Sequence, residues 1–426
     1  MATLTRSAAM SAGARASALA MNLGFSVTSA RVLGPTAAGP FYTALTISIL
    51  VAMVGRFGLD ILALRRLTVD LATDGAAQVV GTLRSYYRWC NGTSLIALVL
   101  TEVAALVAHR WSGSRDLAIL GLSMPAQNLA IVASSMLRAC GRTTVGAFAE
   151  VGLLQGGAMF LCCAAWLHSH HATSTQVSSF VVISAWLTAL WACWVVRNSY
   201  PRATVRRSKH RSGVAQTDLI PLANITFASS VNYALTWVPV FVIGFLSGPA
   251  EVAFYVAASR LAVFLVVPNT IQTAHVIPTV ALRLAAGDKA SANRTLTDAT
   301  RRSMILVIPA GIILCVFSND IIRIVYGHAY SGAAIALSVM AIAQTFVAMF
   351  GFVQPVMLLA HLEVLATAVA AGSLIAAIAL LAIGSHFGLG AACVGFAVVL
   401  VAQAFAGEQL LRRGPGLTTA ALVRTA

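Results

Sequence analysis

Acidic residues are scarce in this sequence. Asp and Glu together number 13 in 426 residues, and none precedes Asp60. Charged residues of both signs make up 10% of the chain, against about 25% in an ordinary soluble domain. A surface so poor in charge excludes a soluble enzyme and a soluble DNA-binding module. Long polar stretches are also missing. The longest, Arg197 to Thr217, is too short to bury a core of its own. No Walker A loop, dinucleotide fingerprint or serine-nucleophile elbow occurs, which argues against ATP hydrolysis by this chain. No outer connection is long enough to carry the catalytic loop of a membrane glycosyltransferase or polymerase, so neither enzymatic activity nor a cofactor is expected. The seven cysteines (Cys90, Cys140, Cys162, Cys163, Cys193, Cys315 and Cys393) lack metal-ligand spacing and read as small core residues. His168, His170 and His171 share a short loop with no further ligand nearby, so no metal site is expected.

What the sequence does contain is apolar: 59% of its residues are hydrophobic, and the mean hydropathy is +0.85. A bilayer span needs ~20 mainly apolar residues. Twelve such runs lie near 10–33, 40–64, 87–109, 115–138, 143–167, 174–196, 219–246, 250–281, 303–326, 332–360, 363–384 and 388–411. The first is read as a retained span, because Asn22, Ser26 and Ser29 interrupt its apolar stretch and no A-x-A cleavage site follows. Of the 28 Lys and Arg residues, 22 fall in the termini and alternate connections. Excess cations stay on the cytoplasmic side, so both termini are expected in the cytoplasm. The scatter of these cations over many connections argues against nucleic acid, which calls for one basic patch with interleaved aromatics.

Residues 197–217 carry six cations and no acid, and they divide the spans six and six. An offset of 213 places Leu33, Phe41 and Tyr42 on Leu246, Phe254 and Tyr255, with Gly34-Pro35 pairing Gly248-Pro249 after a one-residue gap. The expected fold is therefore an all-α polytopic membrane protein of about twelve transmembrane helices. Two six-helix bundles, 1–196 and 218–426, are related as parallel repeats and joined by a basic cytoplasmic linker over 197–217.

Charged side chains near mid-membrane cost at least ~2.5–3.5 kcal/mol on insertion scales and normally face a partner or a wet cavity. Here they are Arg56, Asp60, Glu102, Glu150 and Arg260. Arg56 and Asp60, four apart, either pair with each other or leave Arg56 to line a cavity, where a planar guanidinium suits an anion. Arg260 has no acid within one turn, and is either a cavity cation or the partner of Glu102 or Glu150. Glu102, Glu150 and Asp60 are the candidates for coupling to a proton or sodium ion. Arg15, Asn22, Ser26 and Ser29 form one polar stripe on the first span, and Thr226, Ser230, Tyr233 and Trp237 form another on the seventh. Such stripes suit either sugar contacts or packing between helices.

The segment Ala30-Arg31-Val32-Leu33-Gly34-Pro35, with Phe41-Tyr42 and Phe57-Gly58-Leu59, resembles the polysaccharide branch of the multidrug/oligosaccharidyl-lipid/polysaccharide exporter superfamily, the O-antigen-type flippases. Ser247-Gly248-Pro249, Tyr255 with Arg260-Leu261, Pro278 with Arg283-Leu284, Gly287-Asp288, and Tyr326-Gly327 with Tyr330 extend the resemblance over most of the chain. It departs where Arg56 replaces the acid that often precedes Phe-Gly-Leu, and at Pro40. The resemblance implies export of a polyprenyl-pyrophosphate-linked oligosaccharide across the cytoplasmic membrane by alternating access, in company with membrane lipid and with polysaccharide polymerase or ligase machinery. The competing reading is a proton- or sodium-coupled drug or cation antiporter of the same superfamily. That branch needs acids to hold cations, and the first span has none.

Overall fold

In the computed structural model, residues 2–73, 76–169, 172–200 and 219–421 are described. Most of the expected linker therefore lies outside the described residues. The chain forms two compact units, Met1–Leu33 with Pro40–Ser230, and Gly34–Gly39 with Val231–Ala426. Among the described residues every regular element is a helix.

The first unit contains α1 (Ala2–Arg56), α2 (Leu59–Thr73), α3 (Ala76–Val107), α4 (Ser114–Gly121), α5 (Met124–Ala139), α6 (Thr143–Ala147), α7 (Leu153–Ser169) and α8 (Ser174–Ser199). The next helix, α9 (Leu219–Leu246), enters the second unit at Val231. That unit continues with α10 (Pro249–Ala262), α11 (Val267–Ala285), α12 (Lys289–Val316), α13 (Ser318–Val325), α14 (Ala333–Met349), α15 (Val353–Leu359), α16 (Glu363–Ser385) and α17 (Leu389–Arg413).

Eight helical stretches among the described residues are each long and apolar enough to cross a bilayer, and two bent pairs raise the number to ten. One of the eight, Ala16–Arg56, has 41 residues. At 1.5 Å rise per residue it would measure about 60 Å, twice the hydrocarbon thickness. It is broken at Gly34 (φ 68°, ψ 169°) and makes two crossings. The shorter apolar segment Ser230–Leu246 of α9 completes the twelve.

The spans are less regular than their apolar runs imply. The second ends at Arg56, because Phe57 and Gly58 take positive φ before α2 begins. The fourth bends by 45° between α4 and α5, and the fifth by 48° around a π-helical turn, Phe148–Gly152. The eighth passes through a 3₁₀ turn, Val263–Val266. Pro125 and Pro268 start helices after such breaks, whereas Pro239, Pro278 and Pro309 sit inside them. At the bend before α5, Ser123 Oγ donates to the Leu120 carbonyl at 2.6 Å and Gln127 Nε2 donates to Ser123 Oγ at 2.6 Å. The indole of Trp186 donates to the Leu122 carbonyl at 3.1 Å. The Trp186 indole thus serves a carbonyl at the bend, and the Ser123 hydroxyl adds to the bond that the Leu120 carbonyl takes from the Ser123 amide.

Four glycines share one backbone conformation: Gly34, Gly248, Gly327 and Gly388 have φ of 68–106° and ψ of 168–174°. A Cβ is essentially excluded from this region. Each follows an odd-numbered span and is succeeded at once by helix. Gly34 and Gly248 are the two glycines that the sequence offset of 213 aligns after its one-residue gap. Pro35 and Pro249 follow them, and proline is tolerated at the first position of a helix, where its missing N–H has no partner to lose.

At the end of α17 the chain turns back as an extended strap. Glu408, 1% exposed, accepts from Arg412 Nε at 2.8 Å, the Thr418 hydroxyl at 2.6 Å, the Thr419 amide at 3.1 Å and the Thr419 hydroxyl at 2.7 Å. Asn293 and Thr300 of α12 bond the same strap, to Gly416 O and the Thr418 amide, and to Thr419 O. The Thr419 hydroxyl reaches the Phe350 carbonyl, and the Ala421 amide donates to Met349 O at 3.0 Å. One carboxylate therefore ties the strap down beside the ends of α12, α14 and α17.

Two stability predictions follow from this architecture. Gly248→Ala lowers stability by about 1–3 kcal/mol through backbone strain, read as a lower thermal midpoint of the purified protein. Glu408→Ala costs about 3 kcal/mol by leaving buried donors unmatched, and limited proteolysis then cleaves within 414–421 before the helices are attacked.

Candidate functional site

The second unit gathers three of the expected substrate-binding residues. Trp237 lies one helical turn beyond Tyr233 on α9, and their ring centroids are 6.2 Å apart. Arg260, in the last turn of α10, lies with its guanidinium carbon 4.8 Å from the centroid of the Trp237 ring. All three are half-buried, held by the bundle but not sealed in it. Asn232 stands beside Tyr233, and its Oδ1 accepts from Gln354 Nε2 of α15 at 2.7 Å. The result is a guanidinium on an aromatic face next to a second ring, with the Asn232–Gln354 amide pair at the adjoining position of α9. Rings offer faces to the C–H side of a sugar, amides bond hydroxyls, and the guanidinium offers a fork to phosphate oxygens. Asn232 and Gln354 were not singled out in the sequence. Asn232 directly precedes the aromatic stripe, whereas Gln354 reaches the site only through the short α15.

The first unit uses its charges differently. Arg56 Nε lies 3.2 Å from Asp60 Oδ1, with both side chains largely buried, at 13% and 18% exposure. The two residues do not share a continuous helix face, as their spacing suggested, because the Phe57-Gly58 turn separates α1 from α2. The ion pair instead bridges the break. Glu150 sits in the π-helical turn and pairs with Arg138 of α5 at 3.1 Å. Glu102 on α3 packs over Gly121, where a Cβ would fall 2.9 Å from its Oε1. Among the described residues Glu102 has no ion-pair partner.

Of the first-span stripe, Ser26 is 3% exposed, and its carbonyl accepts from the Tyr42 hydroxyl at 3.0 Å. Ser29 is also buried, within hydrogen-bond distance of the same hydroxyl. This part of the stripe packs the two arms of α1 together. Asn22 is half-buried. The side chains of Arg15 and Thr226, together with His170 and His171, lie outside the described residues. Among the described residues no group of three metal-ligating side chains occurs.

Comparison with known proteins adds the following. The family described as "Polysaccharide biosynthesis protein" matches residues 30–335. A curated relative, the probable low-salt glycan biosynthesis flippase Agl15 of Haloferax volcanii, is 23% identical over 227 residues. That match spans 52% of this chain and 45% of the relative. An inward-facing multidrug resistance MATE family transporter of the MOP superfamily superposes with a TM-score of 0.73 at 13% identity, over 93% of each chain. The lipid II flippase MurJ, in an inward closed conformation, superposes with a TM-score of 0.69 at 16% identity, over 93% of this chain and 86% of that one. These likenesses establish a fold shared with such transporters.

The Arg56 and Asp60 geometry yields a double-mutant test. Arg56→Met leaves a largely buried carboxylate alone and costs about 3 kcal/mol. Arg56→Met combined with Asp60→Leu recovers most of that loss, measured as thermal midpoints of the purified variants.

Proposed function

Because the chain belongs to the polysaccharide biosynthesis protein family, we propose that it is a flippase for a lipid-linked glycan, whose substrate is a polyprenyl-pyrophosphate-linked oligosaccharide moved across the cytoplasmic membrane by alternating access. The observation that carries this reading is the stack of Arg260 on Trp237 beside Tyr233. The obstacle to crossing is the headgroup, whose pyrophosphate and hydroxyls cannot be desolvated in hydrocarbon at tolerable cost. Arg260 binds the pyrophosphate, Trp237 and Tyr233 take the sugar faces, and Asn232 with Gln354 bond hydroxyls. The polyprenyl chain stays in lipid.

With both termini cytoplasmic, transport runs outward. The membrane potential then favours moving negative charge by ~2.3 kcal/mol per charge per 100 mV. For a headgroup of two charges this is roughly 4–5 kcal/mol per 100 mV, so an ion gradient is an auxiliary drive. The product would supply polysaccharide polymerase or ligase machinery on the far side. A second reading, a proton- or sodium-coupled antiporter for drugs or cations, draws on Glu102, which has no ion-pair partner among the described residues.

Reconstitution separates the two readings. In liposomes with a fluorescent polyprenyl-pyrophosphate oligosaccharide, the native chain moves the lipid between leaflets. Arg260→Ala and Trp237→Ala each slow it by about tenfold or more, while Arg260→Lys retains part of the rate. Absence of lipid movement, together with proton-driven exchange of an organic cation that Glu102→Gln abolishes, establishes the antiporter instead.

A further inference from the structure

A second basic site lies elsewhere in the same unit and has no part in the proposed substrate cluster. Between α11 and the first half of α12, Gln272, His275, Arg283, Arg294, Asp298 and Arg302 border a cleft of about 450 Å³. Three guanidiniums face one carboxylate there. Arg294, Asp298 and Arg302 recur every four residues along one face of α12. Arg283 reaches across from α11 and donates to the Ser291 carbonyl at 2.6 Å and to the Thr295 hydroxyl, which fixes its direction. Gln272 is fixed by donating to Ser303 Oγ at 2.6 Å. Among the described residues none of the three arginines has a carboxylate within ion-pair distance. The cleft therefore holds an excess of positive charge, three arginines against Asp298 within it and Asp288 near Arg283 and Arg294 at the start of α12.

Its position along α12 identifies the kind of anion. The exposed face of this helix is charged up to Arg302 and turns apolar one turn later: Ile305 is 72% exposed, Leu306 64%, and Val316, farther along, 68%. On α11, Leu282, 74% exposed, adjoins Arg283. The cleft thus sits where hydrocarbon meets water, with an uncovered apolar track leading away from it. A soluble anion would need the arginines alone, whereas a phospholipid uses both features, its phosphate in the cleft and its acyl chains along Ile305, Leu306 and Val316. We propose that this cleft is a binding site for the phosphate headgroup of an anionic bilayer lipid, distinct from the Arg260 cluster and independent of which substrate is transported. Basic recesses between spans at the membrane surface bind such headgroups, each arginine strengthening the attraction roughly fivefold.

The test uses the purified full chain in neutral detergent, with bound lipid counted by native mass spectrometry. Phosphatidylglycerol and phosphatidylcholine of identical acyl chains are offered together, and inorganic pyrophosphate is titrated separately by calorimetry. The native chain retains phosphatidylglycerol in preference. Arg294→Gln with Arg302→Gln weakens that retention by roughly 20- to 30-fold. Asp298→Asn, which removes the acid lining the cleft, strengthens it, a gain that misfolding cannot imitate. Equal retention of the two lipids by the native chain, or undiminished phosphatidylglycerol retention by the double variant, overturns the site. Binding of inorganic pyrophosphate at the same arginines, with no lipid preference, overturns the assignment to a headgroup.

Discussion

Hydrocarbon offers no partner to a backbone amide or carbonyl, and the rest of this architecture depends on how the chain meets that constraint wherever a helix stops or bends. A straight span needs nothing beyond its own ladder. The spans here are broken at Leu122-Ser123, through a π turn and through a 3₁₀ turn. Each break places polar groups at depth and requires something to bind them. At the Ser123 bend, Trp186 bonds the Leu122 carbonyl, and Gln127 holds the Ser123 hydroxyl that bonds the Leu120 carbonyl. Near the 3₁₀ turn, Asn269 Nδ2 bonds the Ala348 carbonyl at the end of α14. At the Phe57-Gly58 turn, an ion pair spans the gap. Buried polar residues that look like binding groups in the sequence thus serve first to hold irregular backbone.

The same constraint explains why two otherwise dissimilar stretches of the sequence share a Gly-Pro step. Gly34-Pro35 and Gly248-Pro249 match because a tight reversal at a span end needs φ near 70–105° with an extended ψ, followed by immediate helix. Glycine alone meets the first condition readily, and proline suits the second. The surrounding apolar residues are interchangeable as long as the span stays apolar. Gly327 and Gly388 repeat the solution without a following proline, which is why a search for the dipeptide passes over them.

The all-helical class and the twelve crossings were legible because apolar runs of twenty residues have few other uses. The breaks were not, since a bend of 45° leaves mean hydropathy unchanged and depends on which carbonyl a distant side chain reaches. At the candidate site, Arg260, Tyr233 and Trp237 stood out because cations and aromatics are conspicuous in a poor background. Their meeting was not readable, because nothing in the spacing of α9 and α10 fixes how the two helices face each other. Ser26 shows the converse. Its stripe was visible at helical spacing, yet the Tyr42 hydroxyl takes its carbonyl, and periodicity cannot distinguish a wet face from a packed one. Glu408 escaped notice because its partners, Thr418 and Thr419, follow the last apolar run.

The shortage of acids gives the remaining cations their significance. Arg56 has Asp60, Arg138 has Glu150 and Arg412 has Glu408, so three of the 13 carboxylates are committed to holding breaks and ends in place. Arg260 is treated differently: its neighbour is the face of an indole. A carboxylate partner would cancel the charge and compete with any incoming phosphate. An aromatic ring stabilises the cation through its quadrupole while leaving the edge of the guanidinium, with its N–H donors, available. Stacking on a ring keeps a half-buried cation both tolerable to the fold and reactive toward an anion, and among the described residues Arg260 has the indole and no carboxylate within ion-pair distance, at the position where the aromatic stripe meets α10.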